Sequence, residues 1–200
     1  MPDLPLILAS GWASGLNSYA TVLMLGLLGR FGHQAGVPPT LERTDVLVVM
    51  GALFLAQFVA GKIPFIDSIW DVVHTPIRVI MAGAIGAMIS NHGHGSFSQA
   101  VIASAIAAGT ALVSHGAKTG LRMGINASPE PVTNVVASLG EDGAVAGIMA
   151  LAAAHPLAAA IVALVILVLT ICAVGLLVRH IRAYRRRRRE RRDARMAATS

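Results

Sequence analysis

Charge is scarce in this sequence. Of 200 residues only 13% are Asp, Glu, Lys or Arg, where a water-facing domain carries roughly 25%. With 55% of the chain hydrophobic and a mean hydropathy of +0.69, that scarcity excludes an ordinary soluble domain and predicts a chain that faces lipid. Aromatic residues are also few, at 4%, whereas a membrane β-barrel would show aromatic girdles on alternating strands of about ten residues. Abundant Ala and Gly suit helices whose backbones approach closely. The single cysteine, Cys172, sits in an apolar run, which excludes a disulfide framework, a thiolate metal site and cysteine redox chemistry. The opening residues lack a basic stretch: Met1, Pro2 and Asp3 lead straight into Leu4, so the first apolar segment reads as a retained span.

The charge that is present is unevenly spread. Ten of the sixteen basic residues lie between Arg179 and Arg195, opposed there by Glu190 and Asp193 alone. The remainder, six basic against eight acidic residues, has a net charge of −2 although the whole chain is formally +6. The sequence therefore divides into a transmembrane helical domain, 1–178, and a basic tail, 179–200. A basic run directly after an apolar segment places that end in the cytoplasm and the protein in the cytoplasmic (inner) membrane. Without interleaved aromatics, and adjoining a span, the tail points to anionic lipid headgroups as its partner and not to nucleic acid.

Apolar runs bounded by charge or turn residues predict an all-α, polytopic bundle of about six spans, at 4–30, 45–60, 76–90, 97–122, 142–155 and 157–178. The runs at 76–90 and 142–155 are short against the roughly 20 residues that a crossing needs. They are continued by neighbouring polar turns, packed steeply, or half-helices, and Gly11 and Gly15 mark the first run as one that can break. With the tail inside, 61–75 and 123–141 fall on the cytoplasmic side. Pro64-Asp67-Ile69 and Pro131-Asn134-Val136 repeat one spacing ahead of the two short runs, the pattern of an internal duplication with discontinuous helices.

Three polar stretches carry what chemistry there is. On a helix Asp67, Asp71 and His74 fall on one stripe, with Phe65, Ile66, Ile69, Val72 and Val73 around it. Such a stripe turns inward as a proton-relay or cation site, or lies flat at the interface with its polar face in water. His115, Lys118 and Arg122 make a cationic stripe, which either snorkels to the headgroups or pairs with the acidic one. Gly116, Gly120 and Gly124 make a smooth face that serves contacts within a chain or between copies, which leaves a homo-oligomer open. Ser138, with Glu141 and Asp142 directly before an apolar run, reads as a capping box or as competing partners for Arg78 and Lys118. Thr75-Pro76 and Ser128-Pro129 read as helix starts. His92 and His94 lie in a glycine-rich turn and are too few for a metal site. Asn17 and Tyr19, inside the first apolar run, each require a partner. No phosphate loop, nucleotide fingerprint, metalloprotease helix or nucleophile elbow is present, so neither an enzyme class nor a cofactor is indicated and no metal can be named.

Together these stretches resemble an uncharacterised bacterial integral membrane family, domain of unknown function 4126. The resemblance rests on Ser14-Gly15-Leu16-Asn17-Ser18-Tyr19, Lys62-Ile63-Pro64 with Asp67, Asp71, His74-Thr75-Pro76 and Arg78, His115 with Lys118, Leu121-Arg122 and Asn126, and Ser138-Leu139-Gly140-Glu141-Asp142. It spans roughly Gly11 to Pro156 and omits the tail. It implies a multi-span membrane fold and no activity; where the family pattern often carries acids, this chain has Gln57 and Gly61. The sequence is thus read as a small transporter or channel-like protein with an ionisable site at Asp67, Asp71, His74, Lys118, Arg122, Glu141 and Asp142. Asn17, Tyr19, Lys62, Arg78, His115, Asn126, Asn134 and Ser138 support that site. The alternatives are a membrane enzyme acting on a lipid and a structural or assembly protein.

Overall fold

The structure, a computed structural model, describes residues 3–34, 36–63, 66–126 and 131–197; the side chains of some helical residues, Asp67 and Asn126 among them, lie outside the description. Six α-helices follow in order: α1 (Leu4–Gly32), α2 (Thr44–Ala60), α3 (Ile66–His92), α4 (Phe97–Asn126), α5 (Pro131–Ala154) and α6 (Pro156–Ala197), with a 3-10 turn at Pro39–Glu42. No strand occurs among the described residues. Ile69–His92, Phe97–Ile125, Val132–Ala154 and Pro156–His180 are each long and apolar enough to cross a membrane, and Thr44–Ala60 is a shorter apolar helix. This is a multi-pass, all-α membrane protein. Large aliphatic side chains such as Val48, Leu55, Ile80, Val101, Leu164 and Leu169 stand exposed on its outside, which a lipid solvent permits.

Prolines pre-set for helical φ open several of these helices: Pro5 in the first turn of α1, Pro131 at the start of α5 and Pro156 at the start of α6. The apolar runs at 76–90 and 142–155 are neither short spans nor half-helices. Each is the later part of a helix that begins with polar residues, and those residues form helix because their charges pair across the bundle. Pro76 consequently lies inside α3, and Thr75 does not cap a helix start; its hydroxyl donates to the Asp71 carbonyl one turn back, at 2.8 Å. Ser138, Glu141 and Asp142 lie within α5, two turns beyond its start, so they form no capping box. Ser128-Pro129 and Pro64 lie outside the described residues. At the other end, α6 runs from Pro156 to Ala197 with no break at residue 179, so the basic segment extends the last apolar helix.

The first helix departs most from expectation. Its backbone leaves the helical region at Asn17 (φ −153°, ψ 96°). A straight helix would put Gly32 about 39 Å from Leu6, and the next four residues could recover only about 14 Å. Yet a Cβ on Gly36 would lie 3.7 Å from Leu6 Cδ2 and 3.8 Å from Asp3 Oδ1. Both ends of α1 therefore meet at one face of the bundle, and Asn17 is the tip of a re-entrant helical hairpin that replaces the through-going span expected over 4–30. That face, called here the far face, also holds the end of α3, where Gly93 lies against the Asp3 carboxylate. α2 then leads to the opposite, tail face, α3 returns, and α4, α5 and α6 alternate, so the start of α1 and the end of α6 lie at opposite faces.

Close packing holds the hairpin in place. A Cβ at Gly11 would stand 2.8 Å from the Ala107 carbonyl oxygen of α4, and one at Gly15 would overlap the Ser114 hydroxyl and the Ala111 carbonyl oxygen. The surrounding core is built from small residues, Ala9, Ala13, Ala103, Ala107 and Ala111, with Trp12, Ile85, Ile89 and Met149 filling the larger spaces. Gly116, by contrast, meets open space, so the closest approach of α1 to α4 is made at Gly11 and Gly15 and not at Gly116. The hairpin predicts that single cysteines at Asp3 and Arg182, in a Cys172→Ser background, label from opposite sides with a membrane-impermeant thiol reagent. Labelling of both from one side would mean that α1 crosses.

Candidate functional site

The tip of the hairpin drops onto a polar layer where α2 ends, α3 and α5 begin and α4 finishes. Asp71, Arg78, His115, Lys118, Arg122, Asn134 and Ser138 are all buried there. Arg78, 1% exposed, is among the largest fully enclosed side chains in the molecule; its Nη2 donates to Asp71 Oδ1 at 2.6 Å and its Nη1 to His115 Nδ1 at 2.9 Å. The three protons of Lys118 find three acceptors: Asp71 Oδ1 at 3.2 Å, Glu141 Oε2 at 3.1 Å and the Leu16 carbonyl at 3.1 Å. The last contact places a cation on the carbonyl end of the hairpin's first limb, where the helix dipole favours positive charge. Arg122 grips Glu141 with two parallel bonds, Nε to Oε1 at 2.8 Å and Nη2 to Oε2 at 3.1 Å, and its Nη1 reaches Asn134 Oδ1 at 3.1 Å and the Gly61 carbonyl at 3.4 Å. Such bidentate pairing fixes orientation as well as charge.

Hydrogen bonding fixes the form of His115. An arginine N–H can only donate, so Nδ1 is the acceptor, and the proton sits on Nε2 facing Thr75 Oγ1 at 2.7 Å. Asn17 serves both sides of the break. Its Oδ1 accepts the Ala20 amide at 3.0 Å and so caps the second limb, while its Nδ2 donates to Asp142 Oδ1 at 3.0 Å. His74 turns away from Asp71: it stacks on Trp70 at 4.2 Å, meets Tyr19 edge-on at 5.9 Å and contacts the Trp70 carbonyl at 2.8 Å. Just past α2, Lys62 Nζ lies 2.9 Å from the centroid of the Phe58 ring, and burial holds its ammonium below the ordinary lysine value, with Asp142 opposing that shift.

The acidic and cationic stripes therefore meet, although not pair for pair as the sequence suggested. Asp71 binds Arg78 and Lys118, and Glu141 binds Lys118 and Arg122, whereas Arg78 bonds to neither Glu141 nor Asp142. Asp67 and Asn126 lie outside the described side chains. Sequence reasoning missed Trp70, Thr75 and the carbonyls of Leu16 and Gly61. Among the described residues no group of three or more His, Cys, Asp or Glu could hold a metal.

Two cavities adjoin the network. One, about 210 Å³, is mostly apolar and opens between α1, α4, α5 and α6, with Trp12, Leu16, Leu121, Ala144, Ile166 and Leu167 as walls and Lys118 and Glu141 at its polar edge. The other is small and polar, about 10 Å³, lined by Gln57, Gly61, Trp70, Asp71, Lys118, Arg122, Ser138, Glu141 and Asp142. A family model described as domain of unknown function (DUF4126) matches residues 4–175, which takes in every helix of the bundle and the whole polar layer. The chain belongs to this family. No curated protein and no solved structure matches it. The match stops short of the basic end of α6.

Proposed function

We propose that the protein is a small membrane transporter or channel-like protein of the cytoplasmic membrane, with the polar layer at the hairpin tip as its ion-handling site. The carrying observation is the network itself: Arg78, Lys118 and Arg122 with Asp71, Glu141 and Asp142 inside membrane-crossing helices. Each charge costs about 2.5–3.5 kcal/mol to insert at the centre of a span, and apolar residues of similar volume hold a bundle at lower cost. A broken helix whose tip ends among ionisable groups is the architecture by which small transporters expose backbone and charge to a cargo. The basic end of α6 lies at the same face as this site, and its arginines fit the anionic inner leaflet, each worth about 1 kcal/mol of attraction there. That orientation puts the site on the cytoplasmic side, with residues 179–200 as a tail bound to lipid headgroups.

The apolar cavity beside Lys118 and Glu141 favours one other reading, an enzyme that admits a lipid chain from the bilayer and works on its headgroup. Purified protein in sealed vesicles separates the two. Transport predicts flux of an ion above empty-vesicle leak that falls at least tenfold on Glu141→Gln. Absence of flux for every ion tried, together with a lipid precursor accumulating in a deletion strain, would favour the enzyme.

A further inference from the structure

Asp71 and Glu141 are neutralised where they sit, each by two cations, but Asp142 is not. Its Oδ1 takes the uncharged Asn17 amide, and its Oδ2 is enclosed without any hydrogen-bond partner among the described residues. Two other enclosed atoms in the lining of the small polar cavity also lack partners: Gln57 Oε1, on a side chain only 7% exposed, and Trp70 Nε1. One donor and two acceptors thus surround about 10 Å³ of space, the room and the polar complement that a single water needs. A water there accepts from the Trp70 N–H and donates to Gln57 Oε1 and Asp142 Oδ2.

Charge selects among small occupants. A metal ion would face the Trp70 N–H together with Lys118 and Arg122; an anion would face Asp71, Glu141 and Asp142, and the space admits nothing larger than water. Around Asp142 stand Lys62 after α2, Asp71 on α3, Lys118 and Arg122 on α4 and Glu141 beside it on α5. α1 brings the neutral Asn17, and α6 carries no Asp, Glu, Lys or Arg between Pro156 and Val178. We infer that Asp142 is a proton-binding carboxyl and that the water held by Trp70 and Gln57 is the group that delivers and removes its proton. In the loading step a hydronium outside the cavity gives a proton to the cavity water as that water gives one of its own to Asp142 Oδ2, so an O–H bond breaks for each that forms, leaving two waters and a neutral carboxylic acid; unloading reverses it. The inference rests on the transporter reading for its consequence, that the cargo is the proton, while the carboxyl itself is observable without transport.

Infrared difference spectra of the protein in lipid nanodiscs, taken across pH in water and in deuterium oxide, test it. The expected result is a carboxylic-acid carbonyl band that titrates, shifts on deuteration, vanishes in Asp142→Asn and changes frequency in Trp70→Phe and Gln57→Leu. Asp142→Asn keeps the shape and the bond from Asn17, so it should fold. A band that persists in Asp142→Asn, or no titrating carboxyl over the range where the helical signal is intact, overturns the proposal. Proton uptake by vesicles separates the two readings: ion flux undiminished in Asp142→Asn overturns the proton as cargo at this carboxyl and leaves the transporter, whereas the infrared band without any ion flux keeps the site and sinks the transporter.

Discussion

Arg122→Gln or Glu141→Gln alone should each cost about 3–5 kcal/mol of stability in lipid or mild detergent, because either change breaks a buried, doubly bonded ion pair in a site that water hardly reaches. Arg122 is 4% exposed and joined to Glu141 by two bonds, so each residue loses a close, oriented partner when the other is changed. The double variant should recover part of the loss, with a coupling in the range of about 0.5–3 kcal/mol that contacting residues show. Recovery should be incomplete, since Lys118 also leans on Glu141 Oε2 at 3.1 Å and keeps only Asp71 as an anionic partner once Glu141 is gone. The fully exposed Arg43–Asp45 pair, bonded at 2.7 Å and 3.0 Å, is the control: the same cycle there should show no measurable coupling. Reversible unfolding followed in nanodiscs reads both. Additive losses for Arg122 and Glu141 would mean that the network does not exist in the bilayer.

This contrast between two equally short ion pairs explains how much of the site could be read in the sequence. Lys118 and Arg122 stand a turn apart in an apolar helix, as do Asp71 and Thr75 in another, and a charge in such a helix has few destinations besides the bundle interior. Asp71, Lys118, Arg122, Glu141 and Asp142 were legible for that reason. Which carboxylate serves which cation was not, because pairing depends on the relative rotation and depth of α3, α4 and α5, and one-turn spacing repeats on every helix. Trp70 and Gln57 escaped because neither carries a charge; what singles them out is an N–H and a carbonyl oxygen enclosed without a partner, on residues that line one small cavity.

The fold shows the same division. Hydropathy located the six helices because each apolar face has to meet lipid, but it set the starts of α3 and α5 too late. Polar residues 66–75 and 131–141 have low hydropathy and still form helix, since their charges are answered by α4 and not by water. The reversal at Asn17 was harder to see. Hydropathy is continuous across residues 4–30, with no charge or proline to interrupt it between Leu6 and Leu28. What marks the turn is Asn17, a side chain able to cap the following helix, shortly after Gly11 and Gly15, at which no side chain fits. The sequence held both observations; their meaning depends on α4 lying against the first limb.

That dependence gives the second large expected effect. Substituting Gly15 with Ala should destabilise the protein by about 1–3 kcal/mol or more, because the new Cβ would overlap both the Ser114 hydroxyl and the Ala111 carbonyl oxygen. Ser114→Ala in the same chain should relieve only part of the loss: the hydroxyl can be removed, but the carbonyl belongs to the backbone of α4. Gly15→Val should go further and leave little monodisperse protein, since a branched side chain can be admitted only by lifting the first limb from α4. Lifting that limb withdraws the Leu16 carbonyl from Lys118 Nζ and the Asn17 amide from Asp142, so activity should fall with stability across the series. Gly116→Ala, on the same α4 but facing open space, should change stability by no more than about 0.5 kcal/mol. Thermal unfolding of the four variants side by side decides the matter. Equal, small effects at Gly15 and Gly116 would show that the hairpin does not rest on α4, and the polar layer would lose the element that closes it from the far face.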